Sequence, residues 1–509
     1  MTTSRITVEQ AVKKVAKGGS LFTIGTVSGL LLHFISGVIT IRYISKSEFG
    51  LMSIAYVIVS VLVVISLLGF PNGVPRLLAH ALSIKDYAKA KGIVFTSFSL
   101  TSTISLSISI SLFFIAPLLG SFFSKPELTE VIKIFSVLIP ILGISQLIVV
   151  IFRGLENVKP KVFFQDIGNF AIKIVFLLVV IWMNWGFKGV LYANIVSSFL
   201  ILLLLIYYAH SHLPSSISNA KADWLGKELI AFCLPLFGLG LLNMISSWTD
   251  TLMLGFFKAS NEVGVYNAAL KLARLIPIPL QAAVFMYLPI ATKLFGEQNF
   301  SEIKHLYCSV TKWVFLATLP ILLLLTLHSK SIVAFLFGRK YLEAAIIVQL
   351  LASGFFCHTI LGPNGMTLLA LGKTKMLFIS ALISTFINIL LNFALIPKWG
   401  AIGAATATIC SLVILNIFVS VYLYIGTKIH PFVGNYLKPI VLILVFALLI
   451  NKLLKIVITH EILLIVLFTL SITCSILPLL FITNSIDEVD MALIKAFQNK
   501  LFKSKEIQI

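Results

Sequence analysis

Three ionisable residues lie inside long apolar segments near the middle of the sequence. They are Asp250, Lys271 and Arg274, within a stretch that ends at Ala291. An unpaired charge in hydrocarbon costs at least about 3 kcal/mol, so ionisable residues at such positions are candidates for a functional site. A lysine and an arginine in a water-poor environment can hold an anion, whereas an aspartate can bind a proton or a cation. The segment therefore predicts a site for charged ligands.

The two basic residues of this segment are three positions apart, so they share one face of a predicted helix. At ~1.5 Å per residue from Val263, Lys271 lies about 12 Å and Arg274 about 17 Å into the eighth predicted span. Lys173 lies half-way along the fifth predicted span and adds a third cation at a similar depth. An excess of positive charge in a dry site favours an anionic ligand.

The acidic residue of the segment has two interpretations. Asp250 lies about 10 Å from the outer end of the seventh predicted span, a depth similar to that of Lys271. It either forms a buried ion pair with Lys271 or binds a coupling proton or cation. Arg42 and Arg76 lie near span ends, where arginines ordinarily reach for lipid headgroups. The alternative is that they bind a phosphate through both guanidinium nitrogens at the mouth of a cavity.

Polar residues inside other predicted spans also have two interpretations. Asn169, Asn243, Asn388 and Asn392 either line a surface wetted by a sugar or bridge neighbouring helices.

The residues of an enzyme site are missing from the sequence. We find no metal-ligand cluster, no glycine-rich nucleotide loop and no long outer loop that carries acid and base residues. The five cysteines lie in or near apolar helices without paired spacing, which indicates buried apolar residues. We therefore expect no enzyme activity, no cofactor and no metal.

The composition is that of an integral membrane protein, with 59% hydrophobic and 11% charged residues. Soluble domains carry roughly 25% charged residues. About fourteen apolar segments are long enough to cross a hydrocarbon core of ~30 Å, which takes about 20 helical residues. The segments are continuous rather than alternating, so the predicted fold is all-α.

The formal charge of +20 follows the membrane topology. With a cytoplasmic N-terminus, about 24 Lys and Arg residues fall in inner loops, about 12 in outer loops and about three within spans. This asymmetry predicts a multi-pass protein of the plasma (inner) membrane with both termini in the cytoplasm. No basic block or soluble domain suggests a nucleic-acid partner.

The sequence repeats itself at a shift of about 214 residues. Glu48-Phe49-Gly50 then falls on Glu262-Val263-Gly264, and Trp185-Gly186 falls on Trp399-Gly400. Each copy has six predicted spans, an even number, so the repeats are parallel and related by a pseudo-twofold axis along the membrane normal. We expect an N-lobe at 1–214, a C-lobe at 215–428, two more spans at 429–483 and a cytoplasmic tail at 484–509 that lies on the membrane surface.

Proline and glycine interrupt several predicted spans. The interruptions are Gly69 to Pro75 in the second span, Pro277 and Pro279 in the eighth, and Gly362 to Gly365 in the tenth. Such breaks free backbone groups, which neighbouring residues or cavity water must satisfy. They are either static kinks or bending points during alternating access.

Several motifs together resemble the polysaccharide-transporter, or Wzx-type oligosaccharide flippase, family. They cover nearly the whole chain: RYISKSEFGL from Arg42, GFP from Gly69, Pro75-Arg76, DTLMLG from Asp250, VGVYNAALKL from Val263 and WGAIGA from Trp399. Ser45-Lys46-Ser47 departs from the Gly-Pro often seen in the family's first link. That departure affects only the predicted turn.

The resemblance implies a fold of the multidrug/oligosaccharidyl-lipid/polysaccharide exporter superfamily, with fourteen helices in two lobes around a cationic cavity. Its substrate would be a polyprenyl-pyrophosphate-linked oligosaccharide, with the pyrophosphate on Arg274, Lys271 and Lys173 and the lipid tail among membrane lipids. Coupling to Na⁺ or H⁺ stays open. A multidrug or cation antiporter of the same superfamily and a non-transporting membrane scaffold are the alternatives.

Overall fold

A computed structural model describes residues 8–431, 434–458, 460–483 and 485 of the chain. Every regular element within these ranges is a helix, as the sequence predicts. The expected tail at 484–509 lies outside the described residues, apart from Ser485.

The first part of the chain forms ten helices and one π-helical segment, and most of them match a predicted span. Their bounds are α1 Val8–Tyr43, α2 Lys46–Ser66, α3 Phe70–Ser83, α4 Tyr87–Phe122, α5 Pro126–Ser136, α6 Leu138–Gly154, the π-helix Pro160–Gly168, α7 Asn169–Trp182, α8 Gly186–His212, α9 Ser215–Ser218 and α10 Gly226–Phe257.

The second part of the chain is built in the same manner. Its helices are α11 Ser260–Ala273, α12 Ile278–Gly296, α13 Phe300–Leu327, α14 Ser329–Phe337, the 3₁₀ turn Arg339–Tyr341, α15 Ala344–Thr359, α16 Asn364–Ala370, α17 Thr374–Thr427, α18 Gly434–Val457 and α19 Glu461–Ile482. Helix α17 contains a non-helical residue, Gly400, where two helices meet at a kink.

Ten helices in the described ranges are long and apolar enough to cross a membrane, or up to twelve if each of two bent pairs is one span. Helix α17 counts once despite its kink. Large apolar side chains on the spans are exposed, among them Phe114 at 75% and Trp182 at 82%, as expected for surfaces in contact with lipid. The total of fourteen spans stays a prediction.

The chain divides into two compact units. One comprises Met1–Ala268 with Ile396–Ala401, and the other comprises Ala269–Leu395 with Ile402–Ile509. The division falls inside α11, so α10 and the N-terminal part of α11, up to Ala268, belong to the first unit. The lobe boundaries expected at 214, 428 and 483 stay predictions.

The predicted break in the second span is confirmed at Gly69. This residue has a φ of 81° and precedes the first turn of α3, which begins at Phe70 and Pro71. A Cβ atom on Gly69 would overlap the carbonyl oxygen of Cys233 in α10. Glycine is required here for both reasons, because it tolerates the left-handed conformation and lets α10 approach closely.

The predicted break in the tenth span is confirmed at Gly362, which has a φ of 68°. The side-chain amide of Asn364 stabilises the break by donating to Ser420 Oγ at 2.9 Å and to Asn416 Oδ1 at 3.2 Å, both in α17. Its own Oδ1 accepts the Gly365 backbone N–H at 2.7 Å. Polar groups at this interruption are thus satisfied inside the protein.

Backbone features recur at the shift of 214 residues. Gly186 and Gly400 both have positive φ, at 62° and 54°, and so do Ser124 and Gly338, at 53° and 90°. Tryptophan precedes both members of the first pair. A positive φ therefore recurs at two pairs of equivalent positions, and the six-span repeat stays a prediction.

A pair of glycines related by this shift is in contact. A Cβ on Gly50 would overlap the carbonyl oxygen of Ser260, and a Cβ on Gly264 would overlap the carbonyl oxygen of Lys46. Lys46 and Ser260 are themselves related by the shift, so the contact between the starts of α2 and α11 is symmetric. Small residues permit this close approach of two backbones in a membrane.

In each unit, a buried lysine donates hydrogen bonds to backbone carbonyl groups. The Lys125 ammonium donates to the carbonyl of Gly255 in the last turn of α10 and to that of Phe123 at 3.1 Å. Burial lowers the pKa of Lys125, and Glu127 partly opposes this. In the second unit, buried Lys312 donates to the carbonyl of Ser485 at 3.1 Å. There the last two helices pack on α13 through a core that includes Phe315, Ile443 and Phe468.

We expect Gly264→Ala to destabilise the protein by about 1–3 kcal/mol, since the methyl group meets backbone atoms that cannot rotate away. Gly426→Ala is the matched control, because a Cβ there meets nothing within 4 Å. Thermal unfolding in detergent, followed by size-exclusion chromatography, measures the effect. Equal melting temperatures for the two variants would contradict the close contact.

Candidate functional site

The carboxylate of Asp250 lies at the centre of a polar contact between α10 and α11. The Tyr266 hydroxyl donates to Asp250 Oδ2 at 2.7 Å. Both residues are buried, with 7% and 0% of their surface exposed. Thr251 Oγ1 donates to Asn267 Oδ1 at 3.2 Å next to them. Two adjacent polar pairs thus join α10 and α11 at one level. The Tyr266 hydroxyl replaces some of the hydrogen bonds to water that the Asp250 carboxylate loses on burial.

The sequence analysis did not identify Tyr266 as a partner of Asp250, although a signal for the pair exists. The turn between α10 and α11 is at Lys258, and Asp250 lies eight residues before it and Tyr266 eight residues after it. Equal distance from the turn of a helical hairpin brings two residues to the same level. Such counting would have selected Tyr266 as a partner for Asp250.

Lys271 and Arg274 lie at the interruption of the eighth span. Lys271 is in the last turn of α11, which ends at Ala273, and Arg274 is the next residue. Helix α12 starts at Ile278 after Pro277. Lys271 is half-buried and Arg274 is exposed. The carbonyl end of α11 carries about half a negative charge and attracts both cations.

The helix bounds revise the depth of these residues. Helix α11 begins at Ser260, three residues before the predicted start, so Lys271 lies about 16 Å from its N-terminal end. Asp250 lies about 10 Å from the end of α10. Lys271 is therefore deeper than the sequence count suggested. An ion pair between Asp250 and Lys271 stays a prediction.

Lys173 lies in α7, one turn after the π-helical segment, and is half-buried. Within the described ranges, no hydrogen bond or ion pair joins its ammonium group to another residue. One turn earlier, the buried Oδ1 of Asn169 also lacks a hydrogen-bond partner among the described residues. Residues four apart share a helix face, so a donor and an acceptor lie together there.

The π-helical segment itself was not predicted. It packs against α1, where Gly25 and Gly29 meet Val162 and Asp166. The Asp166 carboxylate accepts from Lys161 at 2.9 Å and from Thr26 at 3.2 Å. The carboxylate of Asp166 is therefore paired. π-helical turns often occur at functional sites.

The remaining candidates lie at helix ends or between helix segments. Arg42 is in the last turn of α1 and Arg76 is in α3 just after Pro75, and both side chains are exposed. Asn388 and Asn392 are buried in α17, where Asn392 donates to Asn388 Oδ1 at 3.0 Å. Asn388 in turn donates to Ser411 Oγ at 3.4 Å, on the other side of the kink at Gly400. The side chain of Asn243 lies outside the described part.

The six candidate site residues divide between the two units. Lys271 and Arg274 belong to the second unit, and the others belong to the first: Arg42, Arg76, Lys173 and Asp250.

Interrupted spans that carry ionisable residues, in a chain of ten or more apolar helices, define a multi-pass helical membrane transporter. The chain belongs to the family described as polysaccharide biosynthesis protein, whose profile matches residues 15–295, more than half of it. A second profile, MatE, matches residues 235–394. These matches confirm the resemblance found in the sequence.

Two relatives match most of the chain. Stage V sporulation protein B of Bacillus subtilis is 22% identical over 436 residues, which covers 79% of this chain and 83% of the relative. Lipopolysaccharide biosynthesis protein WzxC of Escherichia coli is 22% identical over 445 residues, which covers 84% of this chain and 85% of the relative.

A solved structure shares the fold. The inward closed conformation of the lipid II flippase MurJ matches with a TM-score of 0.72 at 18% sequence identity, covering 93% of this chain and 99% of that structure. At this identity the likeness concerns the fold alone.

We expect Tyr266→Phe to destabilise the protein by about 1–3 kcal/mol, because the buried carboxylate of Asp250 loses a donor. In an Asp250→Asn background, the same change should cost less, since the two groups interact. Tyr207→Phe is the control, with Tyr207 73% exposed. Thermal unfolding of the parent, the two single variants and the double variant gives the coupling free energy between Tyr266 and Asp250. Tyr207→Phe is measured beside them. Purely additive effects would show that the hydrogen bond does not couple these residues.

Proposed function

We propose that the protein is a flippase that moves a polyprenyl-pyrophosphate-linked oligosaccharide from the cytoplasmic to the outer leaflet by alternating access. Membership of the polysaccharide biosynthesis family supports a role in handling glycans. The relative named for lipopolysaccharide biosynthesis and the flippase that shares the fold support a lipid-linked substrate. The protein would lie in the plasma membrane with both termini in the cytoplasm.

The observation that carries this proposal is the position of Lys271 and Arg274 at the interrupted eighth span. The interruption places both side chains beside irregular backbone, which in a membrane must adjoin protein or cavity water. A pyrophosphate in such a cavity suits a lysine and an arginine, because a guanidinium group can bind two phosphate oxygens at once.

A second feature supports a substrate that also carries a glycan. The Lys173 ammonium and the Asn169 amide oxygen lie one turn apart and have no partner among the described residues. A phosphate oxygen and a sugar hydroxyl would satisfy them together. We propose that Lys173 and Asn169 contact the substrate and that Arg42 and Arg76 bind phosphate at the mouth of a cavity.

The breaks at Gly69, Gly362 and in the eighth span are proposed bending points. In a lipid-facing helix a break exposes polar backbone, so it is tolerated only where protein or cavity water satisfies it.

Reconstituted protein should expose a fluorescent pyrophosphate-linked oligosaccharide at the opposite leaflet. Loss of one charge-assisted contact costs about 1.5–3 kcal/mol, so Arg274→Ala and Lys271→Ala should slow this by about tenfold or more. Lys293→Ala is the control on the same span, since Lys293 is exposed and pairs only loosely with Glu297 at 3.8 Å. Parent-like flipping by both site variants, folded by size-exclusion chromatography, would make these charges structural.

A multidrug or cation antiporter is the second candidate. The MatE profile match and the buried carboxylate of Asp250 favour it. Transport of an organic cation, driven by an imposed Na⁺ or H⁺ gradient and lost in Asp250→Asn, would support it over the flippase. The carboxylate of Asp166 is paired with Lys161 at 2.9 Å, which makes it a weaker candidate for binding a coupling cation.

A further inference from the structure

The segment that connects α8 to α10 is fastened along one face of α4. We call residues 215–225 the strap. Lys91 donates to the carbonyls of Ser218 and Ala220 at 2.6 and 2.7 Å. The Leu225 backbone N–H donates to the buried Thr96 Oγ1 at 3.2 Å. The strap is therefore a fixed part of the first unit.

A shallow and widely open groove of about 460 Å³, which we call the cleft, lies where the strap meets α4 and α10. Its walls are mostly apolar and its lining residues are Leu100, Trp224, Gly226, Lys227, Ile230 and Ala231. The Trp224 ring is 61% exposed and stands edge-on to Phe95, with ring centroids 6.3 Å apart. An apolar recess with a single charged residue at its rim suits an amphipathic ligand.

The length of α4 sets the level of this cleft in the membrane. Helix α4 has 36 residues, more than a hydrocarbon core requires. Counting about 20 residues back from Phe122 reaches the turn that contains Leu100. The cleft thus lies at the boundary between hydrocarbon and headgroups, the level at which tryptophan and lysine side chains concentrate.

The charges around the cleft favour an anion. Lys89, Lys91, Lys221 and Lys227 lie in or beside the strap, against the two carboxylates of Asp223 and Glu228, and Glu228 pairs with Lys89 at 2.6 Å. Lys91 is occupied by the strap carbonyls. Lys227 is exposed, and no hydrogen bond or ion pair joins it to another residue in the described ranges. Among the residues that line the cleft, Lys227 is the lysine.

We propose that this cleft binds an anionic phospholipid, with its phosphate on Lys227 and an acyl chain between Leu100 and Ile230 against Trp224. The lipid would lie against both the strap and the first turn of α10. Its binding does not depend on which substrate the protein carries.

Trp224 provides a direct readout. Protein in lipid nanodiscs is compared with its Trp224→Phe variant, so that the difference reports Trp224 fluorescence alone. Lipids brominated on the acyl chain quench tryptophan on contact, and brominated phosphatidylglycerol is compared with brominated phosphatidylcholine. One lysine near the surface corresponds to about a fivefold preference for the anionic lipid.

The preference should disappear in Lys227→Gln and persist in Lys227→Arg. Lys330→Gln, at an exposed lysine elsewhere, should leave it unchanged. Equal quenching by the two lipids in the parent, or an undiminished preference in Lys227→Gln, would overturn the proposal. Since no transport is measured, the result is independent of the flippase assignment.

Discussion

The cost of placing a charge in hydrocarbon constrains this structure more than any other interaction. The buried charged groups meet it in two ways. Asp250 accepts a hydrogen bond from Tyr266, whereas Lys125 and Lys312 donate to carbonyl groups at or near the ends of helices. The Gly255 carbonyl lies in the last turn of α10, at the negative end of the helix dipole, so its contact with Lys125 satisfies both the carbonyl and the ammonium group. Such lysines act as structural links.

The cations of the proposed site differ from these links in their surroundings. Lys271 and Arg274 adjoin an interrupted helix, and Lys173 follows a π-helical segment. Irregular backbone within a membrane is stable only beside protein or water. The same positions that can tolerate a charge are therefore those that can meet a polar substrate. This coincidence of broken helices and ionisable residues is the physical basis of the flippase proposal.

Much of the fold follows from the sequence, because apolar length and the positions of glycine and proline are local signals. Gly69 and Gly362 break their spans as predicted. Gly186 and Gly400, which are related by the predicted shift, both have a positive φ. The π-helix and the strap contacts could not be predicted, since they depend on how distant segments pack. For the site, the sequence selected Asp250 but not Tyr266. Finding that pair requires the exact position of the hairpin turn, which single-residue patterns do not specify.

The central claim is that the cations at the interrupted eighth span recognise the pyrophosphate of the substrate. The most direct test varies the substrate and leaves the protein intact. Proteoliposomes with the parent protein are given one oligosaccharide on one polyprenyl lipid, joined either through a pyrophosphate or through an uncharged linker. The account predicts rapid flipping of the pyrophosphate form and little of the uncharged form. Equal rates for both would contradict it.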